Sequence, residues 1–146
     1  MAMHADILLA GRGARFGQPE VRVGLMPGGG ATQRLVQAVG KFAAMNILLR
    51  GEPFGAPAAL AMGLLTEMLD DDQVEPRALA IAIELAALPP LALQLVKEAV
   101  LEGLNSGLES GLRFERRSFQ TVFSTEDKTE GIRARLDRRE PRFRGR

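Results

Sequence analysis

Between Asp6 and Glu52 the chain carries a single acidic residue, Glu20, set between Pro19 and Val21 and followed by Pro27 and three consecutive glycines, Gly28, Gly29 and Gly30. Glycine weakens helices and strands through backbone entropy, so such a run implies positive φ, a tight turn, or backbone brought close to a ligand. Pro27 presets the turn, and Thr32-Gln33-Arg34-Leu35-Val36 then reads as a helix start. The first N–H groups of a helix have no partner inside it, and they can hold an anion or a polarised water. A carboxyl placed just ahead of such a turn is site chemistry more than core chemistry.

Nucleotide-binding readings fail on spacing. A phosphate loop needs G-x-x-x-x-G-K-[ST], and the only Gly-Lys pair, Gly40-Lys41, continues into Phe42. The segment Gly11-Arg12-Gly13-Ala14-Arg15-Phe16-Gly17 misses G-x-G-x-x-G by one residue. Zero Cys and one His, His4, leave no zinc set and no thiolate nucleophile, and no serine lies in a G-x-S-x-G elbow. No metal site is expected.

Glu20 is therefore the first catalytic candidate. Burial disfavours the ionised form of a carboxyl and suits it to hold and pass a proton near neutral pH. The plain alternative is a surface glutamate after a turn.

The string Phe16-Gly17-Gln18-Pro19-Glu20, with Gly24, Pro27-Gly28-Gly29 and Thr32-Gln33-Arg34-Leu35, resembles the enoyl-CoA hydratase/isomerase (crotonase) family. Collinear matches continue through Gly40-Lys41, Leu49-Arg50-Gly51, Ala56 to Ala59 with Gly63-Leu64, Val96-Lys97-Glu98, Glu130-Gly131, and Arg138-Arg139 ahead of Pro141 and Phe143. Ala2-Met3-His4-Ala5-Asp6 looks like the tail of the Gly-rich segment that the family carries before this point. The chain is thus expected to resemble only the family's C-terminal half.

The resemblance implies an α/β fold, the C-terminal half of the crotonase-like (ClpP/crotonase) ββα spiral, with a few short strands followed by helices. Residues 1–69 would be core and 70–146 a helical oligomerisation region. It implies hydration or isomerisation of the 2,3 double bond of an enoyl-CoA, as in fatty acid metabolism by β-oxidation, with Glu20 as general acid/base and the Gly28 N–H helping to hold the water. Pro27 and Lys97 are the candidate contacts to the CoA thioester, which is substrate, though Lys97, between Val96 and Glu98 on an amphipathic helix, also reads as a surface charge paired with a neighbour; no separate cofactor is implied. The oxyanion donors and the family's other catalytic glutamate would belong to an N-terminal half, so this chain alone is expected to be inactive, and hydratase and isomerase are not separated by it. Trimers or hexamers, or pairing with a complementary N-terminal half, are the implied partners. Arg135 stands where the family usually has Phe. A reading of another class, a non-catalytic assembly module, stays open beside the enzyme.

Charge enters through its asymmetry. Residues 1–112 hold 8 basic and 12 acidic side chains, a net of −4, and residues 113–146 hold 11 and 6, a net of +5. The basic end reads as a solvated helical face; with no Tyr or Trp and no recognition motif, nucleic acid is not expected as a partner. No apolar run approaches a membrane span and no basic-apolar leader precedes Asp6, so no membrane partner is expected and cytoplasm is the simplest location.

Along the chain, 6–10 reads as a buried strand with 14–17 as its neighbour across the Gly11-Arg12-Gly13 turn, and Val21, Val23 and Leu25 alternate as a half-buried extended segment. Helices are expected to Gly40, over 42–49 up to Gly51, and over 56–62 up to Gly63, with a strand within 64–69. Stripes at Leu79, Ala82, Ile83 and Ala86, at Ala92 through Gly103, and at Leu108 through Phe123 mark three more helices, and Ser124-Thr125-Glu126-Asp127 opens a last one with Ile132 and Leu136 inward.

Overall fold

The computed structural model describes residues 2–146 and divides into two compact units, Met1–Leu79 and Ala80–Arg146. The first unit opens with a 3-10 turn, Ala2–His4, and holds four short strands: β1 Leu9–Gly11, β2 Arg15–Phe16, β3 Phe54–Gly55 and β4 Glu67–Leu69. β1 pairs in parallel with β4, Leu9 opposite Glu67 and Gly11 opposite Leu69, while β2 pairs antiparallel with β3. The hairpin expected from 6–10 and 14–17 is thus not formed. Each of its strands takes a partner far along the chain, a choice that local turn chemistry does not encode.

Helix α1, Ala31–Arg50, lies between β2 and β3 in the chain; it is interrupted at Gly40 (φ 77, ψ 164) and ends at Gly51 in the left-handed region (φ 59). The interruption falls where the glycine divides the two expected helices. Helix α2, Ala56–Ala61, carries Pro57 in its first turn, where the missing N–H costs nothing. Two buried clusters hold the unit: Ala10, Ala56, Ala59 and Leu65, and then Leu35, Ala44 and Ile47. Phe54 and Leu64 pack against both. Alanines at the closest contacts bring helix and strand backbones together, and Phe16 stacks on Phe54 at 5.7 Å between centroids.

Val21, Val23 and Leu25 are not extended. Glu20–Val23 forms a 3-10 helix closed by Gly24 in the left-handed region (φ 74), and Leu25 N–H donates to Glu20 O. Strand-like alternation needs an apolar surface on one side, and Val23 and Leu25 remain 74% and 65% exposed.

Helix α3, Val74–Ala86, spans the division between the units. In the second unit, α4 Pro90–Asn105 packs against α5 Leu108–Phe123, with Gly111 set so close to Gly103 that a Cβ there would lie 3.2 Å from the Gly103 Cα. Helix α6, Glu126–Asp137, is capped by Thr125, whose hydroxyl accepts from Lys128 N–H. Its inward residue is Ala134 rather than Ile132 or Leu136, which stay 51% and 77% exposed. What covers α6 is its own C-terminal arm. The buried Asp127 carboxylate accepts from Arg144 N–H (2.7 Å) and Gly145 N–H (2.8 Å), and Glu130 takes Arg139 in a two-pronged pair and Arg142 N–H at 2.9 Å. Phe143 lies over Gly131.

The arm gives a pH prediction. The Arg139 guanidinium, then the Arg142 N–H, hold the Glu130 carboxyl at about 2, below its ordinary value of 4.5. A depressed carboxyl contributes above its unfolded value and loses its contribution as pH falls through the folded one. The protection factor of the Arg142 amide, its exchange rate corrected for the intrinsic pH dependence of amide exchange, should therefore stay flat above about pH 4.5 and fall as pH drops toward 2; a fall in protection already near neutral pH would contradict the pairing.

Many large apolar side chains face outward in both units, among them Met26, Phe42 and Leu49 in the first and Leu108, Phe119 and Phe123 in the second. Among the described residues no single helix is long and apolar enough to cross a membrane.

Candidate functional site

Glu20 is the first residue of its 3-10 helix and follows Pro19, so the proline ring and the tight turn fix the direction in which its side chain leaves the backbone. Its Oε2 atom is buried and has no hydrogen-bond partner among the described residues. Leaving a buried carboxylate oxygen unpaired costs on the order of 1–3 kcal/mol or more, and native chains rarely tolerate it without use.

The space beside it is a cavity of about 130 Å³, lined by Met3, His4, Gln18, Glu20, Gly29, Ala31 and Arg34. That is room for water next to a carboxyl. One wall is the glycine turn: Gly30 is left-handed (φ 85, ψ 6) and acts as the N-cap of α1, its carbonyl accepting from Gln33 and Arg34 N–H. Pro27 is buried, Gly28 and Gly29 are exposed, and no described group accepts from the N–H of either glycine. The unit therefore sets a carboxyl, a glycine turn and the positive N-terminal end of α1 around one small cavity. A proton carrier and a set of donors for a polar oxygen are what this arrangement can supply.

Of the residues singled out in the sequence, Glu20 lines this cavity, and Pro27 and Gly28 lie in the turn beside it, with Gly29 the glycine that reaches the lining. Lys97 is exposed on α4, in the second unit. Sequence reasoning does not single out Gln18, His4 or Arg34 as lining residues. Arg34 has a readable signal, since the fourth residue of a helix faces back over its own N-terminus; the position of His4 depends on the folded path of residues 2–8. A larger cavity, about 850 Å³, lies between α6 and the C-terminal arm. Of its four carboxylates, Asp127, Glu130 and Glu126 are already engaged with Arg144 and Gly145 N–H, Arg139 and Arg146, and Glu140 is exposed to solvent, so it offers poorer acid/base chemistry despite its size. Among the described residues no cluster of three or more His, Asp or Glu side chains is arranged to hold a metal.

The fold of short strands followed by helices has close counterparts among solved structures. The structure superposes on an enoyl-CoA hydratase from Bacillus anthracis with a TM-score of 0.95 at 30% identity, over 99% of this chain and 56% of that one. It superposes on the enoyl-CoA hydratase of Mycobacterium tuberculosis H37Rv with a TM-score of 0.93 at 31% identity, over 99% and 57%. In sequence it is 42% identical to the 2,3-dehydroadipyl-CoA hydratase of Escherichia coli (strain K12) over 146 residues, 100% of this chain and 57% of the relative. The architecture is thus the C-terminal half of a crotonase-like α/β fold. The enoyl-CoA hydratase/isomerase family profile matches residues 1–146, and the chain belongs to that family. It spans about half the length of the curated relatives it matches.

Proposed function

We propose that this chain supplies the acid/base part of an enoyl-CoA hydratase/isomerase site, with Glu20 passing a proton to or from the α-carbon side of the 2,3 double bond of an enoyl-CoA. The observation that carries the reading is the buried, unpartnered Glu20 Oε2 beside the glycine-capped N-terminus of α1. Water placed in the cavity would lie between this carboxyl and the N–H groups of the turn, with Gly28 as its donor and Pro27 fixing the turn's entry. Lys97 is proposed to reach a CoA phosphate, and the thioester is the substrate, with no separate cofactor.

The reaction passes through an enolate-like transition state, whose oxygen needs two well-placed N–H donors, each commonly worth roughly 10²–10³ in turnover. In this reading those donors lie outside the 146 residues, in a complementary N-terminal half of the same site, and the exposed apolar faces are covered by that half and by other subunits of a trimer or hexamer. The 146-residue chain on its own is then expected to bind enoyl-CoA weakly and not to turn it over.

Calorimetric titration of a short-chain enoyl-CoA into the purified chain, with a parallel hydration assay, tests this. Weak heat of binding without turnover is the expected result, and measurable hydration by the chain alone would overturn the division of the site. Complete absence of binding would favour a second reading, a non-catalytic assembly module, to which the many outward-facing apolar side chains also point.

A further inference from the structure

The 3-10 helix that carries Glu20 has little of its own to hold it in place. It is four residues long, none of them buried, and Val21 and Val23 are 40% and 74% exposed. Short 3-10 turns have poorer hydrogen-bond geometry than α-helices. The backbone bonds of this one, Arg22 N–H to Pro19 O and Leu25 N–H to Glu20 O, are local.

Among the described residues, every side-chain hydrogen bond from Glu20–Val23 to the rest of the unit comes from Arg22. Its Nε donates to the carbonyls of Arg50 and Gly51, both at 3.1 Å, and its Nη2 donates to Glu52 Oε1 at 3.3 Å. These carbonyls close α1, where helix geometry supplies no further donors and the helix dipole favours a cation. Arg50 Nη2 holds the other Glu52 oxygen at 2.8 Å, so that carboxylate is gripped from both sides. Gly51 permits the close approach: a Cβ there would lie 2.9 Å from Val21 Cγ1 and 3.2 Å from Arg22 Cγ.

We propose that Arg22 is a positioning residue for Glu20, its guanidinium fastening the 3-10 helix to the C-terminal end of α1 and so fixing where the Glu20 carboxyl sits. The inference rests on the reading of Glu20 as the acid/base. It depends on the planar fork, which reaches two carbonyls and a carboxylate together; a lysine ammonium carries the same charge on a flexible stem without that geometry. Displacing a reacting group by about an ångström costs roughly 10²-fold.

The test compares Arg22→Ala and Arg22→Lys with Glu20→Gln in the complete enzyme that contains these residues, reading kinetics and amide exchange together. Arg22→Ala should speed exchange at the Gly24 and Leu25 amides about tenfold while leaving α2 and β4 unchanged. It should lower kcat by about 10- to 100-fold with KM held within about twofold, and Arg22→Lys should recover part of the loss. Unchanged exchange at Gly24 and Leu25 in Arg22→Ala overturns the clamp, as does full kcat alongside faster exchange. Failure of the underlying reading is separately visible: Glu20→Gln would then keep full turnover, while the exchange data still decide whether Arg22 holds the helix.

Discussion

Replacing Glu20 by glutamine should lower turnover of an enoyl-CoA by about 10²- to 10⁴-fold while leaving the melting temperature unchanged or slightly higher. Glutamine keeps the length and planar shape of the side chain but neither takes nor gives a proton, so only the chemical step is removed. The stability half of the prediction comes from the unpaired Oε2. A carboxylate oxygen buried without a donor is a cost to the folded state, and exchanging it for part of a neutral amide lowers the desolvation penalty. A structural carboxylate behaves in the opposite way. Asp127, whose two oxygens accept from Arg144 and Gly145 N–H, would lose stability on the same change and has no reason to alter chemistry. Kinetics of Glu20→Gln, with the chain assembled with the N-terminal half proposed above, and a parallel thermal melt separate the two cases. Turnover within about threefold of the parent would remove Glu20 from the mechanism, and a melt lowered by many degrees would assign it a structural role.

How far this arrangement can be read in the sequence depends on whether its cause is local. Glycines and prolines act on their own backbone, so the break at Gly40, the stops at Gly51 and Gly63 and the start of α4 at Pro90 are all readable from residue type. The turn before α1 is readable for the same reason: three glycines leave few alternatives to a left-handed cap. Partner choice is not local. Leu9 to Gly11 pairs with Glu67 to Leu69 where Ala56 and Ala59 of α2 pack against Ala10 and Leu65, and nothing in either strand names the other. Apolar alternation at Val21, Val23 and Leu25 suggests an extended segment, yet a 3-10 helix closed by Gly24 forms, with Val23 and Leu25 in solvent. The same limit applies to Ile132 and Leu136, whose spacing marks a helix face without saying what lies against it. For the site, Glu20 and its glycine turn are legible because isolated acids and glycine runs are rare. The path of residues 2–8, which sets Met3 and His4 beside the start of α1, and the Arg22 fork, which grips its end, are not, since both are contacts between segments far apart in the chain.

Gly11→Ala should lower stability by about 2–3 kcal/mol by denaturant unfolding. The cause is crowding rather than backbone conformation, because Gly11 does not have a positive φ. A Cβ at Gly11 would lie 2.1 Å from Asp71 Oδ1, 2.9 Å from its Cγ and 3.0 Å from its Cα. The oxygen alone would swing aside at modest cost. It is engaged, however, accepting from Gly13 N–H at 3.0 Å, and relieving the clash with the Asp71 backbone calls for movement of the chain itself. That chain follows β4, where Gly11 pairs with Leu69 and Arg12 N–H donates to Leu69 O at 2.9 Å, so the added methyl pries at the end of the parallel pair. A double-mutant cycle identifies the neighbour responsible. Asp71→Ala alone loses one exposed hydrogen bond, about 1 kcal/mol, and clears the oxygen and Cγ from the space that the new methyl needs. The double variant should therefore be more stable than the sum of the single losses, by about 1 kcal/mol or more. Circular dichroism follows the unfolding, since the chain has no Trp or Tyr to report it. Losses that add to within about 0.5 kcal/mol would show that Asp71 is not what keeps residue 11 a glycine.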